Sequence, residues 1–186
     1  MMELTTDTQE MALKLANNSG ITHSRLVSTA DLKTHKAVRD ACAQNSCGKF
    51  GTCWTCPPGV GDVNDLEERL HSFKVGLLVQ NVTSIEDSWD FEGMFAASAT
   101  HNTSVRTLWD KLREELPECE ILPLGAGSCD QCEKCTYPDA PCRFPDQAMS
   151  SVEGYGIDVR ALVESCGLQY INGQNTVSYV GLLLIR

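Results

Sequence analysis

Alternating strand-like and helix-like segments predict an α/β or α+β domain: a sheet of about four strands, flanking helices and two cysteine-rich metal-binding loops. Three observations carry that expectation. The runs KVGLLVQNV (74–82) and VSYVGLLLI (177–185) are short and apolar, and the second is apolar on both faces, as a central or covered strand must be. Other segments repeat their apolar residues every three or four positions, which is the helical period. Four cysteines crowd into CAQNSCGKFGTCWTC (42–56) and four more into CDQCEKCTYPDAPC (129–142), out of ten in the chain. Structural cysteines are usually scattered as small core residues, so clustered ones share a partner.

Each element follows in order. DTQEMALKLANNS (7–19) reads as a helix closed by Gly20, since glycine commonly ends helices. ITHSRLVST (21–29) has strand composition, and THKAVRDAC (34–42) reads as a short helix broken before Asn45 and Gly48. The first cysteine stretch exits through Pro57–Pro58–Gly59, which cannot be mid-helix or mid-sheet because proline lacks the backbone donor. In GDVNDLEERLHSF (61–73), Val63, Leu66, Leu70 and Phe73 form a helical stripe. The strand at 74–82 comes next, and residues 84–95 read as polar and irregular. Val105, Leu108, Trp109, Leu112 and Leu116 mark an amphipathic helix stopped by Pro117. CEILPLG (119–125) is a short strand leading into the second cysteine stretch. Ile157, Leu162, Val163 and Cys166 suit a helix ended by Gly167, and 177–185 is the last strand.

A chain of 186 residues is expected to form a single domain over 1–186, with its cysteine clusters at 42–58 and 129–142. That length buries a core without help from disulfides. A net charge of −10 argues against a nucleic-acid partner, because phosphate binding needs a basic face. The opening MMELTTDTQEM has no basic segment followed by an apolar run, so no secretory signal is expected. The apolar runs are too short to span a membrane. A cytoplasmic protein is expected, where thiols stay reduced, and clustered cysteines there read as metal ligands or redox groups ahead of disulfides.

Cys129, Cys132 and Cys135 form C-x2-C-x2-C, a spacing that wraps one loop around three corners of a [4Fe–4S] cubane. Cys142 is the expected fourth ligand, delivered by a turn that Pro138 and Pro141 stiffen. Gly125 and Gly127 allow close backbone approach. Zinc is the rival cofactor, although its structural sites typically use two separated C-x2-4-C knuckles. In the first stretch Cys42, Cys47, Cys53 and Cys56 are spaced x4, x5 and x2, and Cys56 precedes proline as the last ligand of a bacterial ferredoxin run does. Phe50 and Trp54 either shield a cluster or simply join the core.

The stretch CGKFGTCWTCPP (47–58) resembles the Cys-x-x-Tyr-Gly-x-x-Trp-x-Cys-Pro-Pro signature of a bacterial and archaeal family of predicted metal-binding proteins, with Phe50 where the signature has tyrosine. PLGAGSCDQCEKC (123–135) and PCRFPDQAMSSVEGYGIDV (141–159) resemble its second signature. The resemblance spans roughly residues 21–185 and brings no reaction with it. It implies that Cys42, Cys47 and Cys56 are the pattern's first-half cysteines and that Cys53 stands at a variable position. A cluster on three thiolates leaves one iron free for a small substrate or sulfide, whereas four thiolates suit electron transfer.

Three functions therefore stay open. The first is a redox protein passing electrons through one or two [4Fe–4S] clusters to a partner protein or small molecule. The second is an enzyme with an open iron, and the third is a zinc-binding interaction module. Elsewhere, Cys166 reads as core and Cys119, between Glu118 and Glu120, as a strand residue. His101 reads as a solvated or helix-start histidine, and Ser150–Ser151 as a helix cap ahead of any substrate role. Gly125-Ala126-Gly127 lacks the third glycine and following helix of a dinucleotide fingerprint.

Overall fold

The computed structural model describes residues 5–186, so residues 1–4 of the expected domain lie outside the described residues. The elements run α1 (Thr6–Asn17), β1 (His23–Ser28), α2 (Lys36–Ala43), α3 (Val63–Ser72), β2 (Val75–Ser84), α4 (Phe91–Glu115), β3 (Ile121–Gly125), β4 (Ser150–Ser151), α5 (Val159–Ser165) and β5 (Thr176–Ile185). The strands form one sheet in the order β1-β2-β5-β3-β4. All pairings are antiparallel except β3 with β4, which makes the fold α+β.

Side-chain alternation along β2 and β5 builds the two cores. Leu77, Val79, Leu183 and Ile185 point to one face, where Ala12 and Ala16 of α1 and Val105, Leu108, Trp109 and Leu112 of α4 cover them. Leu78, Leu182 and Leu184 point to the other, under Leu66 and Leu70 of α3 and Leu162 and Val163 of α5. The sheet is thus the middle of three layers, which explains why its central strands carry apolar residues at successive positions. The side chains of Thr5, Asp62, Asp90 and Asp158 cap α1, α3, α4 and α5 by accepting a backbone N–H in the first turn. Among the described residues, no helix is long and apolar enough to cross a membrane.

Three expectations change. The segment at 84–95 is irregular only to Asp90, because α4 begins at Phe91. Its first turns carry no apolar stripe: Phe91 and Phe95 are exposed, and Gly93 supplies the N–H that Asp90 accepts at 2.8 Å. The fifth strand, β4, is two residues long and pairs only with Leu124 and Gly125, too little to produce a visible alternation. Ser150–Ser151, expected to cap a helix, form this strand: Ser151 Oγ accepts from Gly154 N at 2.8 Å, but Val152 holds the cap position of the 3-10 turn Glu153–Tyr155 without a side-chain bond, and Asp158 caps α5.

His101 is the third correction. It lies within α4, wholly buried, with Nδ1 2.8 Å from Asn81 Oδ1 and its ring stacked on Tyr179. Burial lowers its pKa from 6.5 to about 4, against a smaller opposing effect of the Val180 backbone.

Leu183→Ala should lower unfolding free energy by roughly 2–5 kcal/mol without abolishing the fold, measured by urea denaturation. A histidine whose folded pKa is depressed stabilises fully above its unfolded value and loses that stability as pH falls toward the folded one. His101 should therefore contribute a loss of about 3 kcal/mol between pH 6.5 and about 4. In His101→Gln the slope of unfolding free energy against pH should be visibly shallower over that window.

Candidate metal centre

Local chemistry closes each cysteine loop. In the first, Asn45 adopts a positive φ of 54° and its Oδ1 accepts from Phe50 N at 3.0 Å. Gly51 N donates to Pro57 O at 2.8 Å, and Gly51 sits at φ 71°, where a side chain is disfavoured. Arg39 of α2 ties this loop to its surroundings by donating to Gly154 O at 2.9 Å and Gly61 O at 2.8 Å. That anchoring positions α2, which buries none of its own residues.

The second loop hangs from α4. The Asn102 side chain grips the backbone of Ala126 twice, donating to its carbonyl at 2.8 Å and accepting from its amide at 3.0 Å. Arg106 donates to Asp130 at 2.8 Å and to Gln147 O at 2.6 Å. Thr136 Oγ1 donates to Pro141 O at 2.8 Å and Arg143 Nη1 to Lys134 O at 2.9 Å, so the turn returns Cys142 beside the level of Cys135.

The two loops meet along a seam. Trp54 donates through Nε1 to Ala140 O at 3.0 Å, and its ring stands edge-on to Tyr137 with centroids 4.8 Å apart. Cys129 N donates to Thr55 Oγ1 at 3.4 Å. Gly59 permits this approach: a Cβ there would lie 2.7 Å from Cys53 O and 2.9 Å from the Tyr137 ring. Trp54 is therefore neither a simple core residue nor a free shield; it joins the loops.

The eight cysteines divide by what they face. Cys42, Cys47 and Cys56 line one cavity of about 510 Å³, together with Lys49, Phe50, Phe95, Ser128, Asp130 and Glu153. That volume lies within the range of roughly 300–1,000 Å³ usual for small-molecule sites. Cys53 is not on its wall; it is 6% exposed and its Sγ lies 3.1 Å from Thr55 Oγ1. Cys129, Cys132 and Cys135 are half-buried on the other side of the seam. Cys142 lines a second cavity, of about 640 Å³, with Trp54, Thr55 and Tyr155. Of the isolated cysteines, Cys166 packs against the α5-side core and Cys119 against the α4-side core.

Electrostatics distinguish the groups. Burial, reinforced by the neighbouring Cys53 and Cys47, pushes the Cys56 thiol up to about 12. Burial raises Cys42 also, with Arg39 opposing and Glu153 and Cys47 adding. Burial thus favours the neutral form of both thiols, and a bound cation would offset it. Cys135 goes the other way. Burial works against it, but backbone amides of Tyr137, Trp54 and Thr136 and the Cys53 side chain donate to its sulfur and hold its pKa below the usual value. Three amides aimed at one sulfur suit a thiolate, and hydrogen bonds of this kind surround cluster sulfurs.

Among the described residues, no three His, Cys, Asp or Glu side chains gather around a point where a single ion would sit. Tetrahedral zinc at about 2.3 Å from each sulfur needs ligand sulfurs about 3.8 Å apart. A cubane takes each thiolate on a different iron and so asks for a wider spread. The donor set, all thiol, fits iron–sulfur chemistry and a four-cysteine zinc site alike.

Sequence reasoning found the cysteines but missed Asn102, Arg39, Arg106, Gly59 and Tyr137. Each acts on backbone or rings far away in the chain, and no local spacing signals it.

Residues 25–185 match a family model described as Predicted metal-binding protein (DUF2284). No curated protein matches the chain. No solved structure matches it either.

Gly59→Ala should force the loops apart. The near-ultraviolet signal of Trp54 should change and metal retained per chain should fall, while far-ultraviolet circular dichroism stays as in the parent.

Proposed function

Because the chain belongs to this family of predicted metal-binding proteins, we propose that its two cysteine groups hold neighbouring [4Fe–4S] clusters and that it acts in electron transfer. The observation that carries this reading is the seam: Trp54, Thr55 and Cys53 of one loop touch Tyr137, Ala140, Cys129 and Cys135 of the other. Two clusters held on either side of it would be near neighbours. Cys129, Cys132, Cys135 and Cys142 would hold the second, and the amides around Cys135 would steady its thiolate. The all-free thiols of the described chain suit a reducing, cytoplasm-like compartment. When bound, such clusters supply one-electron chemistry, and an iron without a thiolate supplies a Lewis-acidic position.

A second reading has its own support. Cys42, Cys47 and Cys56 face a cavity that Cys53 does not reach, so the first site would be a three-cysteine one open to a small ligand. Lys49 offers that cavity a cation, Asp130 is paired with Arg106, and Phe50 and the solvent-exposed Phe95 give part of its wall an apolar surface. Electron transfer at the second site and ligand binding at the first are compatible in one molecule.

Protein prepared without air should be brown, with broad absorption at the blue end of the visible range and equal iron and acid-labile sulfide. Cys129→Ser and Cys42→Ser should each lose about half of the iron, since each removes a ligand of one cluster. Added cyanide or small thiols should alter the electron paramagnetic resonance of the Cys129→Ser protein and leave that of Cys42→Ser unchanged. Folded, colourless, iron-free protein would overturn the proposal.

A further inference from the structure

The second cavity, of about 640 Å³, lies where the two cysteine loops, α3 and β3 come together. Its volume is that of a small-molecule site, within roughly 300–1,000 Å³. It is not the place of the second metal group, because Cys142 stands on its wall while Cys129, Cys132 and Cys135 do not. Most of the wall is apolar. Trp54 and Tyr155 supply rings, and Pro123, Pro138, Pro141 and Pro145 supply surface without backbone N–H groups. Polar recognition therefore falls largely to side chains. Arg69, Ser150 and Tyr155 bring donors to the wall. Among the described residues, no hydrogen bond or ion pair engages the Arg69 guanidinium or the two hydroxyls. For Tyr155 this is unusual: the residue is only 2% exposed, and a tyrosine so buried normally gives its O–H to a partner. The polar side-chain atoms sealed in without a partner, among the described residues, are Gln80 Oε1, His101 Nε2 and Trp109 Nε1. The Tyr155 oxygen is not one of them, so it opens onto the cavity. Asp139 is also on the wall, but no ion pair joins it to Arg69, whose charge stays available.

We propose that this cavity binds a small organic acid with an aromatic body, its carboxylate held by Arg69 and by the Tyr155 and Ser150 hydroxyls and its ring by Trp54 and the prolines. The inference goes beyond the proposed iron–sulfur function and does not depend on it. Three unengaged donors require a ligand rich in lone pairs, and the planar fork of a guanidinium matches a carboxylate. Thr55 adds nothing to this demand, because its oxygen already lies 3.1 Å from Cys53 Sγ and accepts from Cys129 N. Trp54 has given its Nε1 proton to Ala140 O, so what it offers the cavity is its ring. An aromatic body packs on such rings in edge-on or offset geometry and gains more than its area alone supplies. A bare inorganic anion would satisfy the donors and leave the apolar wall unfilled. The bound acid would lie against the seam between the loops, beside Cys142.

The test is isothermal titration calorimetry on the full chain purified without air, using benzoate, phenylacetate and indole-3-acetate, each beside its neutral amide, and inorganic phosphate. At least one acid should bind at one site per chain with a Kd below about 1 mM, about tenfold or more tighter than its amide or phosphate. Arg69→Gln should abolish that preference, and Arg69→Lys, which keeps the charge without the fork, should retain part of it. Tyr155→Phe keeps the packing and should weaken the acid several-fold. Ala148→Phe puts a ring into the cavity and should remove binding of acid and amide together. Absence of binding by all three acids, equal affinity for acid and amide, or an Arg69→Gln protein that matches the parent would each overturn the inference. Where Tyr155→Phe fails to fold, Arg69→Gln decides, since Arg69 is exposed. Iron measured on the same samples separates the two functions. An iron-free parent that binds the acid would overturn the iron–sulfur reading and leave this inference standing, and an iron-replete parent that binds none would do the reverse.

Discussion

Pairing of β2 with β5 is the constraint on which the rest of the molecule depends. Ten residues pair with ten, from Val75 with Ile185 to Ser84 with Thr176, and each strand is apolar on both faces at its centre. Because β5 also pairs with β3, the last strand in sequence is the one that welds the two halves of the sheet. A one-residue slip would exchange the two faces, turning Leu183 toward α5 and Leu182 toward α4. The second cysteine loop leaves from the end of β3, and the first is held against β4 and its following turn through Arg39. Correct register in the middle of the sheet therefore fixes where the thiols stand.

The cysteine groups are built by division of labour. Backbone geometry, through Asn45, Gly51 and the Thr136–Pro141 turn, shapes each loop. Long polar side chains from helices, Asn102 and Arg106 of α4 and Arg39 of α2, hold the loops to the scaffold. Aromatic and small residues, Trp54, Tyr137 and Gly59, bring loop to loop. Burial disfavours ionising Cys42 and Cys56. A bound cation relieves that cost, which is why thiols in such surroundings are conspicuous as ligands.

What was legible in the sequence were features with a short repeat. The unbroken apolar runs of β2 and β5 announced a sheet covered on both sides, and the stripes of α3 and the second half of α4 announced their helices. C-x2-C-x2-C marked a cysteine loop, and the match to a family of predicted metal-binding proteins agrees with metal binding by the chain. The first half of α4 was illegible because its aromatics face solvent and small residues fill the rest, so only the Asp90 cap marked it. His101 was misread for the same reason: a helix whose start is misplaced misplaces the burial of every residue near it. The division between Cys53 and Cys56, three positions apart, was marked only by the family resemblance, which sets Cys53 at a variable position; no local spacing shows that Cys53 is off the wall shared by Cys42, Cys47 and Cys56. Trp54 meets Ala140 across 86 residues, and no local pattern encodes such a meeting.

The position of β5 has a consequence for how the protein is made. Synthesis runs from the N-terminus at about 5–20 residues per second, so both cysteine loops leave the ribosome before the strand that joins the sheet. For that interval every thiol in residues 42–142 is exposed to cellular oxidants and to stray metal without its native neighbours. The quality of the product is then decided by the redox state and metal supply met during birth of the chain, and expression under air and in the absence of air should yield different molecules from one gene.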